Sequence, residues 1–140
     1  MLPRTAGRRQ GGKALLAPLS VAALAAAAVG VVVLVDPNEP GHYPTCPFLA
    51  ATGAFCPGCG SLRAVHAMGS GDLATALDRN LLTVLAVVPL LVLWGSWTRR
   101  QWTGQQRSSV AQSWVLWSLL GVVCVFGVVR NLSFGAALAP

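Results

Sequence analysis

Three long apolar runs decide what this chain can fold into. Residues 14–35, 81–97 and 110–129 contain no charged side chain. At 1.5 Å rise per residue, a helix of about 20 residues crosses the roughly 30 Å hydrocarbon core of a bilayer. Residues apolar on every side of a helix need lipid or a deep core around them. Hydrophobic residues make up 54% of the chain and charged residues 10%, against about 25% charged in an ordinary soluble domain. The expected fold is therefore an all-α integral membrane protein with three transmembrane helices, in one domain of 140 residues, and the lipid bilayer is its first partner. The formal charge of +6 does not point to nucleic acid, because the basic residues flank the apolar runs instead of forming a face with interleaved aromatics.

In chain order, residues 1–13 are a basic tail with Arg4, Arg8, Arg9 and Lys13 and no apolar period. Residues 14–35 form the first membrane helix. A cleaved signal peptide is the competing reading, but the run exceeds the 7–15 residues of a signal core and its Ala-x-Ala triplets lie inside it. Asp36, Pro37, Glu39 and Pro40 stop that helix. Residues 36–80 are a mixed polar segment carrying three of the four cysteines and two short helices, the second capped by Asp72. Residues 81–98 form the second membrane helix, where Pro89 implies a kink. Residues 99–109 are a basic loop, residues 110–129 the third membrane helix, and residues 130–140 a short tail.

Positive residues favour the cytoplasmic side of membrane helices. The basic tail and the loop with Arg99, Arg100 and Arg107 contain no acid, whereas the other side sets Asp36, Glu39, Asp72 and Asp78 against Arg63, Arg79 and Arg130. Trp94, Trp97, Trp102, Trp114 and Trp117 all fall at the tail-and-loop end, as an interfacial aromatic belt would. The expected location is the cell (inner) membrane, with the N-terminus cytoplasmic and the cysteine segment and C-terminus extracytoplasmic.

That segment carries Cys46-Pro47-Phe48 and Cys56-Pro57-Gly58-Cys59-Gly60. The Cys-x-x-Cys-Gly turn is a compact device, with Pro57, Gly58 and Gly60 shaping a backbone that brings two sulfurs together. An oxidising compartment favours a disulfide, yet three outer cysteines leave one over. Zinc is the alternative, as the turn resembles the knuckles of rubredoxins and zinc ribbons. A closed site has four ligands, so Cys46, Cys56 and Cys59 call for one more. If residues 59–66 are helical, Cys59 and His66 lie about 10 Å apart along the axis, which leaves His42 as the better fourth ligand, or water. A third reading is thiol chemistry, with Cys59 near a helix start and Arg63 one turn in. Cys124, inside an apolar run, reads as a small apolar residue.

Asn80, Arg130 and Asn131, with Arg63, sit at the ends of apolar runs, where snorkelling and capping account for polar side chains. No nucleophile and base pair, phosphate loop or acid and base carboxylates can be picked out. The chain reads as a small membrane protein whose cysteine segment is a structural knuckle, for packing its helices or docking a protein partner or second copy, rather than as an enzyme. An extracytoplasmic thiol-disulfide or metal-handling protein is the alternative.

On Cys46-Pro47-Phe48, Thr52-Gly53, Cys56-Pro57-Gly58-Cys59-Gly60, Arg63-Ala64, Gly71-Asp72, Asn80 and Arg130-Asn131, the chain resembles a bacterial membrane family, domain of unknown function 2752. The resemblance runs from Asp36 to the C-terminus. Proline often follows the asparagine in that family, where this chain has Leu81, and often follows the final Arg-Asn, where it has Leu132-Ser133-Phe134. The resemblance implies a membrane protein and no particular activity.

Overall fold

The computed structural model describes residues 12–105 and 113–139. All regular structure among them is helical. Most of the basic tail, with Arg4, Arg8 and Arg9, lies outside the described residues, as does the part of the basic loop that holds Arg107.

A 3₁₀ turn at Gly12–Leu15 leads into α1, Leu16–Leu34. This helix is apolar all round, with a mean hydropathy of 2.3, and only Pro18 is buried along it. A short helix α2, Pro47–Thr52, follows the loop after α1, with proline at its first position and Gly53 in the left-handed region at its end, both in the places those residues favour.

Helices α3, Ser61–Gly69, and α4, Leu73–Thr103, form a hairpin. The turn between them is built by two adjacent residues. Gly71 takes φ +82°, so that its N–H reaches Met68 O (3.1 Å) and the N–H of Asp72 reaches Ala67 O (2.9 Å), closing α3 as a Schellman motif. Asp72 then caps α4 by accepting from the Thr75 N–H at 3.0 Å. Ala64, Ala67 and Ala76 are buried here; their small side chains let the two helices come close.

Helix α4 is broken once, at Asn80 (φ −163°, ψ 96°). The first part lies against α3, and the second is the long apolar stretch. Pro89 sits in that second part without leaving helical dihedrals, so the break expected of the proline falls nine residues earlier.

Contacts hold α1 at both ends, to this long stretch near its start and to α3 near its end. Near its start, the Trp94 indole donates to Pro18 O at 3.1 Å. Near its end, the Nδ1–H of His66 donates to Val32 O at 2.9 Å, and Gly69 abuts the Val33 side chain. Helix α5, Ser113–Val129, joins the molecule through its C-terminal end, where Gly127 packs on Pro57.

Few of the described residues are buried: Cys59, Ala64, Ala67 and Ala76 among apolar ones, Asn80 and Arg130 among polar ones, together with Pro18 and Gly135. The large apolar side chains of α1, α5 and the second part of α4 point outward, among them Leu24, Val88 and Leu119.

The composition predicts three membrane helices, and two helices, α1 and α4, have the length and composition to cross a bilayer. The third run is also an apolar helix, but its described part has 17 residues. Residues 110–112, counted with it on composition, lie outside the described residues.

Candidate metal centre

The three outer cysteines converge. Cys46 stands at the N-terminus of α2, and Cys56 and Cys59 lie on the turn before α3. Cys46 Sγ is 3.5 Å from Cys56 Sγ, which is 3.1 Å from Cys59 Sγ, and all three lie within 4.8 Å of one another. The turn is closed by the Cys59 N–H on Cys56 O (3.1 Å) and the Ser61 N–H on Gly58 O (3.0 Å). Gly60 adopts φ +84°, a conformation L side chains resist. Gly58 differs: a Cβ there would make only ordinary contacts, 3.9 Å from Cys56 Sγ and 4.0 Å from Ser61 Oγ.

Three polar side chains from distant parts of the chain hold the turn by its backbone. Asn80 Nδ2 donates to Pro57 O (3.0 Å) and Cys59 O (2.9 Å), while its Oδ1 accepts from the Thr83 N–H (2.9 Å) and caps the second part of α4. Arg130 Nη1 lies 2.9 Å from Cys56 O, 3.1 Å from Cys59 O and 3.3 Å from Pro57 O. Its guanidinium also rests near the rings of Phe126 (5.1 Å) and Phe55 (5.9 Å), within cation–π range. Asn131 pairs with Phe55 as a strand would: Oδ1 accepts the Phe55 N–H and Nδ2 donates to Phe55 O, both at 2.8 Å. Nδ2 also reaches Gly127 O at 2.7 Å.

This differs from snorkelling. Arg130 is 1% exposed and Asn80 0%, so neither carries its polar group out to water. Phe55, Phe126 and Gly127 complete the socket, and nothing in the sequence singles them out. Phe55 meets Asn131 across 76 positions and Gly127 packs on Pro57 from the far end of the chain, and no local pattern reports contacts of that range. The one available signal is that Asn80 and Arg130-Asn131 each stand at the end of an apolar run.

The thiols are unequal. Cys46 is lowered to about 7, first by the backbone N–H of Leu49 and then by the Cys56 thiol; Cys59 is pushed up to about 12, first by burial and then by its hydrogen bonds with Cys56 and Cys46. A proton leaves the exposed side of the cluster more readily than the buried side. Cys124 is exposed on α5, away from the cluster.

The histidines lie elsewhere. His42, the preferred fourth ligand in the sequence, has Nδ1 2.9 Å from Asp36 O and Nε2 3.3 Å from Glu39. His66 faces the end of α1, with Nε2 3.8 Å from Asp36. Arg63 is half-buried on α3 and lines a half-open cleft of about 620 Å³, together with Cys46, Cys59, Tyr43 and Phe55. Asp72 serves as a helix cap.

Zinc–thiolate bonds of about 2.3 Å in a tetrahedron place sulfurs somewhat under 4 Å apart. The three Sγ atoms fit one ion at that spacing with little movement. They would be its ligands, with a fourth position supplied from outside the described His, Cys, Asp and Glu residues. Three thiolates suit zinc and other thiophilic ions.

A search of curated proteins and a search of solved structures each found no match. A family model described as "Protein of unknown function (DUF2752)" matches residues 46–94, the stretch that holds all three clustered cysteines, α3 and the break at Asn80. Over that segment the chain is similar to the DUF2752 family of proteins of unknown function.

Proposed function

We propose that this is a small membrane protein whose cysteine segment is a structural metal knuckle, one thiophilic divalent ion such as zinc locking three helix ends together on the extracytoplasmic face. The observation that carries the reading is the convergence of three sulfurs within 4.8 Å. A disulfide would use two of them and leave the third without a purpose. The knuckle connects to α4 through Asn80, to α5 through Arg130 and Asn131, and to α2 through Cys46, so fixing the sulfurs fixes the helix ends. Membrane insertion is supported by the outward-facing leucines and valines of α1, α4 and α5, which in water would make a large apolar patch. On this reading all three helices contact lipid, with the shorter α5 matched by local thinning or by interfacial anchoring of Trp114 and Trp117.

A second reading is metal handling, in which the ion is passed on instead of kept. It is favoured by the half-open cleft beside Cys46 and Cys59 and by a protein ligand set of three, which leaves a position for an incoming donor.

Purified full-length protein in detergent, assayed for metal and alkylated without reductant before intact mass measurement, tests the first reading. One tightly held ion per chain is expected, with three cysteines protected until a chelator and denaturant are added together. A metal-free Cys56–Cys59 disulfide would overturn it. An ion lost to a chelator within seconds under native conditions would select the second reading.

A further inference from the structure

Among the cleft, the outward apolar faces, the loop around Asp36 and the buried polar groups, Arg130 is the group whose surroundings leave most to be satisfied. Its side chain is 1% exposed. Only Nη1 has partners; Nε and Nη2 are buried with no hydrogen-bond acceptor among the described residues. No carboxylate pairs with it there either, since the ion pairs formed are His42 with Glu39 and His66 with Asp36. A buried charge without a counter-charge is strongly unfavourable. The carbonyls and aromatic rings around the guanidinium lower that cost without neutralising it.

We propose that Arg130 is the counter-charge of the cysteine cluster, neutralising the single negative charge left when three thiolates hold one divalent ion. The inference rests on the metal reading above and adds a role for this residue. The carbonyls of Cys56 and Cys59 that Nη1 contacts belong to two of the three ligand residues, so the cation lies against the backbone of the turn that carries those sulfurs. Three thiolates and a divalent ion sum to one negative charge, and one guanidinium brings the whole to zero. Three neutral thiols would leave a buried cation alone. Arginine suits the position better than lysine, because its delocalised charge is more weakly hydrated and stacks on rings, here those of Phe126 and Phe55. Arg130 is thus a positioning and charge-balancing residue outside the ligand set.

The test titrates cadmium into metal-free, reduced full-length protein in detergent, against a competing chelator, following sulfur-to-cadmium absorption in the ultraviolet. Helical circular dichroism reports folding. Arg130→Gln keeps a donor for the carbonyls but removes the charge; Arg130→Lys keeps the charge but loses the planar fork. The Gln variant should bind about 10–100-fold more weakly, the size of effect expected of an outer-shell partner, and the Lys variant should recover most of that loss. In a Cys46→Ser background, where the site carries one negative charge fewer, Arg130→Gln should cost about threefold or less, a coupling that a purely structural role would not produce. Equal losses for Gln and Lys, or an undiminished Gln penalty in the Cys46→Ser background, would overturn the proposal. If the Gln variant loses helix, the decision rests on Arg130→Lys: binding near wild type supports the charge role, and a loss of about tenfold or more overturns it. Unchanged binding by Arg130→Gln refutes this inference while sparing the metal reading. A wild-type protein with no sulfur-to-cadmium absorption takes both down.

Discussion

The side-chain amide of Asn80 faces two ways. Its oxygen accepts from Thr83 and restarts α4, and its nitrogen donates to Pro57 O and Cys59 O. Only an amide supplies an acceptor and a two-proton donor on so short a stem. Asn80→Ala would remove a cap and one of the two donors to Pro57 O and Cys59 O, which would keep only Arg130 Nη1, for a loss of about 1–3 kcal/mol. Asn80→Asp should be worse, although it keeps the capping oxygen, because a carboxylate would then face two carbonyl oxygens in a buried site. Thermal unfolding of the purified protein checks this: the expected order is wild type above Ala above Asp, and an Asp variant as stable as wild type would remove Asn80 from the clasp. Asn131 obeys the same chemistry against Phe55. At this scale the sequence exposes the candidate ligands but not their support. Cysteine has few uses in an outer segment, so Cys46, Cys56 and Cys59 draw attention by type alone. Asn80 and Arg130 have many possible uses, and their burial follows from contacts across 21 to 74 positions. His42 shows the converse error: sequence proximity to Cys46 favours it, and the turn at Asp36 to Glu39 takes its ring instead.

Between elements, close approach matters more than large apolar contacts. A Cβ on Gly127 would lie 2.9 Å from Pro57 Cγ, so α5 docks on the cysteine turn through a missing side chain. Earlier on the same helix, Gly121 has nothing within 4 Å of the same added atom. Gly127→Leu should therefore push α5 off the knuckle, costing about 1–3 kcal/mol as overpacking does, while Gly121→Leu, facing outward, should be nearly neutral. Thermal unfolding of the pair tests the docking, and equal effects would show that α5 does not sit there. His66 illustrates the same economy of contact, giving a hydrogen to Val32 O, one of the carbonyls that the end of α1 leaves without a partner inside the helix. The apolar runs make the long helices legible, because a backbone surrounded by lipid or core must satisfy its own polar groups, and over a single uncharged run only a helix does so. Charge at Asp78 and Arg79 interrupts the hydropathy and suggests two separate helices there. The chain instead continues as one helix broken at Asn80, because the asparagine caps the second part as the first ends.

At the scale of the whole molecule, the contacts divide it into two ends. Pro18 and Trp94 mark one, joined by a hydrogen bond. His66 with Val32, and Arg130 with Cys56, mark the other. Arg99 and Arg100 follow Trp94 in α4, whereas Asp36 lies against His66 and Glu39 borders the cleft with Cys46 and Cys59, so the charge asymmetry read along the sequence coincides with a spatial one. Basic ends favour the cytoplasm, and the proposed orientation accordingly has the cysteine segment outside. Gln105 and Glu39, both exposed, lie on opposite sides of that division and make a direct test. In intact cells, a membrane-impermeant maleimide should label a Glu39→Cys variant at position 39 and leave a Gln105→Cys variant unlabelled at position 105 until the membrane is opened, with the labelled site identified by peptide mapping. The reverse pattern would put the knuckle in the cytoplasm, where a reducing environment keeps thiols free and a disulfide would lose its rationale. The metal reading would keep its rationale: three converging sulfurs could hold an ion by the same chemistry on either side. Orientation therefore decides which competitors the site meets, an oxidant outside or the thiol pool inside, and not whether three thiolates can hold a metal.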